Sequence, residues 1–225
     1  MTNSKRIALI HATRLAIDPI VSTCQTLWPQ VEPVSLLDES LAIDRCKNEH
    51  LTEELSSRII ALNQHAIGLG AHGVLFTCSA FGKAIEKAAA TSAVPVLKPN
   101  EAMFEKAVSL GNRVVMIYTF PPAVAGMEQE FLDFAVHCGS AAGIQSVYAE
   151  GAREALEQGR LEEHNKIISH TVSQVKNADV ILLAHFSMAI AESLAKRATH
   201  IPVLSSPATA VEKIKLLVEA NTNTV

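Results

Sequence analysis

Aromatic side chains are scarce here: seven Phe, two Tyr and one Trp make up 4% of 225 residues. Basic residues are few as well, 19 Lys and Arg against 23 Asp and Glu for a net charge of −4, and they form no cluster or stripe. Without a basic, aromatic-interleaved surface the electrostatic footprint of a nucleic-acid binder is missing, so no nucleic-acid partner is expected. The four cysteines, Cys24, Cys46, Cys78 and Cys138, are far apart, with no Cys-x-x-Cys and no histidine pair at zinc-ligand spacing. That spacing supports neither a disulfide framework nor a metal site. No apolar run approaches bilayer length, and the start, Met1 to Arg6 followed by Ile7-Ala8-Leu9-Ile10, is too short for a secretory core. The expectation is a cytoplasmic protein with no membrane partner.

What the chain does have is apolar substance, 48% hydrophobic residues with 19% charged. That composition builds an ordinary soluble core, in one large domain or two modest ones. Short continuous apolar runs alternate with helical periodicity. Strands are expected at Ile7 to Ile10, Val31 to Leu37, Gly73 to Cys78 and Val94 to Leu97. Asp18-Pro19 reads as the N-cap and N1 of a helix to Leu27. Leu55, Ile59, Leu62 and Ala66 mark a second helix closed by Gly68 and Gly70, and further helices span about 81 to 90 and 100 to 110. The pattern then restarts, with strands at Val114 to Ile117, Ile144 to Tyr148, Val180 to Leu183 and Ile201 to Leu204. Helices follow from Pro121 to Gly139, from about 153 to 176 with Gly159 interrupting, to about Arg197, and from a Ser206-Pro207 cap to the end. Strands alternating with helices predict parallel sheets.

Shifted by 107 positions the chain matches itself: Arg6 falls on Arg113, Ile10 on Ile117, Leu75 on Leu182, Ala84 on Ala191, Pro95-Val96-Leu97 on Pro202-Val203-Leu204, and Glu105-Lys106 on Glu212-Lys213. A period of that size is a duplicated domain rather than a solenoid. The expected fold class is α/β, two pseudo-symmetric doubly wound domains with parallel sheets and an active site in the cleft between them. The halves are residues 1–98 plus 206–225, and 99–205.

The same shift sets His185 opposite Cys78, each at the carboxyl end of a strand, where open parallel sheets bind ligands. A thiol and an imidazole on opposite sides of a small substrate would form a two-base system, one removing a proton and the other supplying one. Cys78 lies where a helix begins, a position that lowers a thiol pKa. The backbone amides of Ser79, Ala80 and Phe81, with the hydroxyls of Thr77, Ser79, Thr119 and Ser187, would hold a carboxylate and an enolate-like intermediate. His11, Thr13 and Asp38 complete the candidate list as substrate-binding residues.

The segments Ile10 to Thr13, Leu36 to Leu41, Phe76 to Phe81, Val94 to Leu97, Leu183 to Ala189 and Ile201 to Leu204 resemble the cofactor-independent aspartate/glutamate/hydantoin racemase superfamily over nearly the whole chain. The resemblance implies a duplicated α/β fold, an isomerase of the racemase or epimerase type in amino acid metabolism, a small carboxylate such as an amino acid or derivative as substrate, no cofactor and a homo-oligomer. Family racemases carry a cysteine at the equivalent strand end of each half. Cys78 matches the first, and His185 stands where the second would be. A decarboxylase or cis–trans isomerase relying on a single catalytic cysteine, or a non-catalytic small-molecule binder, are the alternatives this departure opens.

Each candidate also has a bland reading. His185 would be a core histidine, Thr13 a turn hydroxyl bonded to backbone, and Asp38 a helix cap. Cys24, Cys46 and Cys138 are expected as packing residues and Lys83 and Lys87 as a solvated helix face. Arg14 and Lys98 are the cations nearest at hand for a second substrate carboxylate.

Overall fold

Unbroken apolar runs predict strands buried on both faces, and the central strands meet that expectation. The structure, a computed structural model, describes residues 4–222; residues 1–3 and 223–225, which the sequence assigns to the first half, lie outside the described residues. One sheet contains β1 (Arg6–His11), β2 (Glu32–Leu37), β3 (Gly73–Phe76) and β4 (Val96–Leu97), parallel throughout in the order β2-β1-β3-β4. The other contains β5 (Arg113–Tyr118), β6 (Gly143–Tyr148), β7 (Val180–Leu183) and β8 (Val203–Ser205), parallel in the order β6-β5-β7-β8. Every residue of β3 and of β7 is buried. The helices are α1 (Ile17–Leu27), α2 (Ser40–Cys46), α3 (Glu53–Gly68), α4 (Gly82–Ala90), α5 (Glu101–Leu110), α6 (Pro121–His137), α7 (Ala152–Glu157), α8 (Leu161–Gln174), α9 (Glu192–Arg197) and α10 (Ser206–Thr222). The chain forms two compact units, Asn100–Ser206 and the residues on either side of that span.

The sequence repeat is written into the strand register. Ile7 pairs with Gly73 and Val114 with Val180; Val74 pairs with Val96 and Ile181 with Val203, so each partner moves by 107. One pair of edge strands, β2 and β6, breaks the rule. Arg6 pairs with Glu32 but Arg113 with Gly143, four residues further on than the shift requires. The extra length lies between β5 and β6, where α6 has 17 residues against 11 in α1. Even the polar ties at the sheet bottoms repeat. His72 Nδ1 accepts from the Arg6 backbone N–H at 3.1 Å, and Asp179 Oδ2 from that of Arg113 at 2.9 Å.

Several local expectations are corrected. Helix α1 begins at Ile17 after a 3-10 turn, Arg14–Ala16, so Asp18 is not its cap. A 3-10 turn also precedes α4 (Ser79–Phe81) and α9 (Phe186–Ala191). Residues 153 to 176 form two helices divided at Gly159, whose φ of +73° suits only glycine without strain. Ser206 is the first residue of α10, and its hydroxyl donates to Asn100 Oδ1. Strands β4 and β8 start one or more residues late because Pro95 and Pro202 have no N–H for the ladder, although their carbonyls accept from Val74 and Ile181 at 2.8 Å.

His11, the last residue of β1, is wholly buried and ties three strands together. Its Nδ1 lies 2.8 Å from Thr77 Oγ1, just beyond β3, and its Nε2 3.1 Å from Ser35 Oγ on β2. Burial lowers its pKa to about 4, so the ring is neutral. Between that value and the ordinary 6.5 the unfolded chain takes up a proton that the folded chain refuses. The contribution is therefore complete above pH 6.5 and falls by about 1.4 kcal/mol per pH unit as the solution is acidified towards pH 4. Urea denaturation from about pH 7 to 4.5 should show His11→Gln with a shallower pH slope by that amount, whatever its loss at pH 7; equal slopes would mean the ring is not held neutral.

Candidate active site

The apolar run of β3 ends because its last ladder bond is made by Thr77, whose N–H donates to Ile10 O at 3.0 Å. Cys78 follows with extended backbone, φ −119° and ψ 120°, and heads the turn Ser79–Phe81 that feeds α4. It is half-buried. Ser79 is 5% exposed, and its hydroxyl is shielded from water without a hydrogen-bond partner among the described residues. Ala80 and Phe81 are buried, so Phe81 offers its backbone while its ring sits in the core. The Ala80 carbonyl faces away to the buried Arg45 guanidinium, which donates from Nε at 3.4 Å and from Nη1 to Asn48 O at 2.6 Å. Helix α2 carries Arg45 and was absent from the sequence reading.

The remaining first-half candidates are occupied elsewhere. The Thr77 hydroxyl belongs to the His11 bridge and also reaches Ile10 O at 3.3 Å. Thr13 Oγ1 accepts from Leu15 N at 3.4 Å, the turn-capping role. Asp38 is engaged by protein partners. Its Oδ1 accepts from Ser40 N and Oγ at 3.1 and 2.5 Å, and its Oδ2 pairs with Arg58 at 2.7 Å. Those ties hold its carboxyl below the usual range despite its partial burial. The two cations named for a second substrate carboxylate are paired, Arg14 with Glu39 at 2.8 Å and Lys98 with Glu86 at 2.6 Å.

In the second unit the same construction recurs. Ala184 N donates to Ile117 O at 2.9 Å, and His185 follows with φ −117° and ψ 144° at the head of the turn Phe186–Ala191, in which Ser187 is half-buried. His185 Nδ1 lies 3.3 Å from the backbone N of Thr119 and 3.2 Å from its hydroxyl, Thr119 being buried. The imidazole also meets the edge of the Phe120 ring, centroids 6.4 Å apart, and Arg153 stacks over the same ring with its Cζ 4.6 Å from the centroid. Burial first, and then the positive charge of Arg153, lower the His185 pKa to about 3. Both effects favour the neutral ring. Nothing in the sequence announced Arg153 or Phe120, because an arginine on a helix near 150 carries no periodic or spacing signal.

The structure therefore brings Cys78, Ser79, Ala80 and Phe81 together on one turn, and sets Thr119, just beyond β5, against His185 at the head of another. Of the other cysteines, Cys24 is buried, which pushes its thiol up to about 12, whereas Cys46 and Cys138 are exposed and are not the packing residues expected. Among the described residues no group of three or more His, Cys, Asp or Glu is placed to hold a metal ion, and no helix is long and apolar enough to cross a membrane.

The fold is shared with solved racemases. Glutamate racemase from Francisella tularensis in complex with D-glutamate superposes with a TM-score of 0.73 at 12% identity, over 97% of this chain and 82% of that one. Allantoin racemase from Pseudomonas fluorescens gives 0.72 at 19% identity, over 96% and 92%. Picrophilus torridus aspartate racemase gives 0.70 at 13% identity, over 98% and 94%. A comparison with curated protein sequences finds no match. The family model described as Asp/Glu/Hydantoin racemase matches residues 10–218. With the match covering nearly the whole chain, and two parallel four-stranded sheets as in the solved racemases, the chain belongs to the Asp/Glu/hydantoin racemase family of isomerases.

Proposed function

We propose that the protein is a cofactor-independent racemase or epimerase of a small carboxylate such as an amino acid or derivative, acting at Cα in the cytoplasm. Cys78 is the acid–base group that removes the Cα proton, and His185 is the second group at the reacting centre. The observation that carries the reading is the end of β3: a half-buried thiol heads a turn beside the shielded, unpartnered Ser79 hydroxyl. A turn entering a helix directs backbone N–H groups at an anion, so the amides of Ser79 to Phe81 hold the substrate carboxylate, with Ser79 Oγ and Ser187 Oγ as side-chain donors. When the proton leaves, that carboxylate gains electron density from the C–H bond, and fixed donors stabilise it most at that moment.

The ion pairs of Arg14 and Lys98 favour a substrate with a single carboxylate over aspartate or glutamate. We take residues 1–98 with 206–225, and 99–205, as the duplicated halves. A single-thiol reaction, decarboxylation or cis–trans isomerisation, is the second reading. It is favoured by histidine standing where the family pattern has its second cysteine.

Incubation with amino acids and hydantoins in deuterium oxide should place deuterium at Cα of at least one of them. Cys78→Ser should lower that exchange by about 10²–10⁴-fold, the usual loss when a positioned acid–base group is removed. No exchange by correctly folded wild-type protein with any candidate would refute the racemase reading, and release of carbon dioxide or geometric isomerisation without inversion would establish the second. His185→Cys, which restores a thiol at both strand ends, should raise the rate of inversion relative to exchange, measured by chiral chromatography of the same reactions.

A further inference from the structure

The backbone fixes the tautomer of His185. The amide of Thr119 can only donate, and it points its hydrogen at Nδ1 from 3.3 Å, so Nδ1 carries the lone pair. The Thr119 hydroxyl approaches the same nitrogen at 3.2 Å. In a neutral ring the one hydrogen is then on Nε2. That nitrogen is shielded from water and has no hydrogen-bond partner among the described residues, a costly state for a donor unless something else accepts from it. The neighbours reinforce neutrality. Phe120 presents its ring to the imidazole, and the Arg153 cation stacked on Phe120 opposes a second positive charge. Among the described residues the ring's hydrogen-bond partners are the amide and hydroxyl of Thr119, neither of them a carboxylate that would draw a proton onto Nδ1.

A base must offer a lone pair, and the free atom of His185 offers a hydrogen. We propose that His185 enters the reaction as a neutral Nε2–H donor to the substrate oxygen that becomes negative, and that Cys78 alone removes the Cα proton. The inference rests on the proposed function and deepens it. The Cys78 thiolate takes the proton and becomes a thiol, the C–H electron pair passes into an enediolate, and an enediolate oxygen accepts the Nε2–H hydrogen bond without proton transfer. The thiol exchanges with solvent and returns a proton to the face it came from. Delivery to the opposite face requires the Nε2 hydrogen to leave a neutral imidazole as a proton, producing an imidazolate, and is the slower branch. A neutral histidine acting as electrophile rather than base is an established catalytic pattern. Here it makes the two halves of the protein chemically unequal, the first a proton carrier and the second an oxyanion donor.

The tautomer is read without any substrate. In wild-type protein with ring-¹⁵N histidine at neutral pH, the resonances that vanish in His185→Gln should show Nε2 protonated and Nδ1 bare. Protonation of Nδ1, or of both nitrogens, would overturn the proposal whether or not the protein turns anything over. With any substrate that passes the exchange test, deuterium should enter the recovered starting enantiomer faster than that enantiomer is inverted. His185→Ala should lose about 10²–10³-fold in exchange, the usual loss of one oxyanion donor, and His185→Gln, whose side-chain N–H reaches a similar position, should recover roughly tenfold of it. Equal losses in Gln and Ala, with deuterium appearing only in the inverted product, would restore His185 as a second base. Failure of all exchange in a protein whose His185 proves to be the Nε2–H form would instead count against the proposed function.

Discussion

One backbone hydrogen bond in each unit decides what the strand ends can do. Thr77 N–H to Ile10 O, and Ala184 N–H to Ile117 O, are the last bonds joining the central strands. The residue after each is released from the ladder but still extended, with nearly the same φ, and turns at once into a short 3-10 helix. The construction presents one side chain, Cys78 or His185, at a sheet's carboxyl edge while keeping its neighbours buried. Every other candidate is placed by reference to that bond. The buried central strands hold it rigid, since truncating one of their Leu residues to Ala would cost about 2–5 kcal/mol.

Around these equivalent positions the halves diverge, and the divergence follows from which neighbour each ring or hydroxyl is given. In the first unit the histidine is one strand away, at His11, and both its nitrogens are consumed by Thr77 and Ser35. Its job is to join strands. In the second unit the corresponding residue is Tyr118, stacked on Tyr148 with centroids 5.2 Å apart, and the histidine has moved to the strand end. There the Thr119 amide takes one nitrogen and leaves the other without a partner. Two neutral histidines, one buried and one half-buried, thus carry opposite meanings. One is satisfied at both ends, and the other presents an unmet donor.

Much of this was legible in the sequence because the signals were long-range and redundant. Unbroken apolar runs gave the strands, and the 107-residue self-match proved to be strand register, kept pair by pair in every strand except the edge strands β2 and β6. Helix α2 escaped because only Leu41 and Arg45 of its seven residues are buried, too little to make a periodic stripe. The 3-10 turns are shorter than any period that could show them. Asp38 was ambiguous because an acid after a strand suits both a cap and a substrate amine, and its pairing with Arg58, twenty residues on, has no sequence signal. The thiol was legible as a strand end, whereas the state of His185 was not. Its tautomer depends on an amide 66 residues away and its charge first on desolvation and then on Arg153, relations that exist only after folding.

A crystal structure with a small α-substituted carboxylate bound to the wild-type protein tests the central claim most directly. The account predicts a carboxylate oxygen about 3 Å from backbone amides of the Ser79–Phe81 turn, Cα about 3.5 Å from Cys78 Sγ, and His185 Nε2 hydrogen-bonded to a ligand oxygen. A ligand held away from Cys78, or one with His185 Nε2 facing Cα and no oxygen, would contradict it.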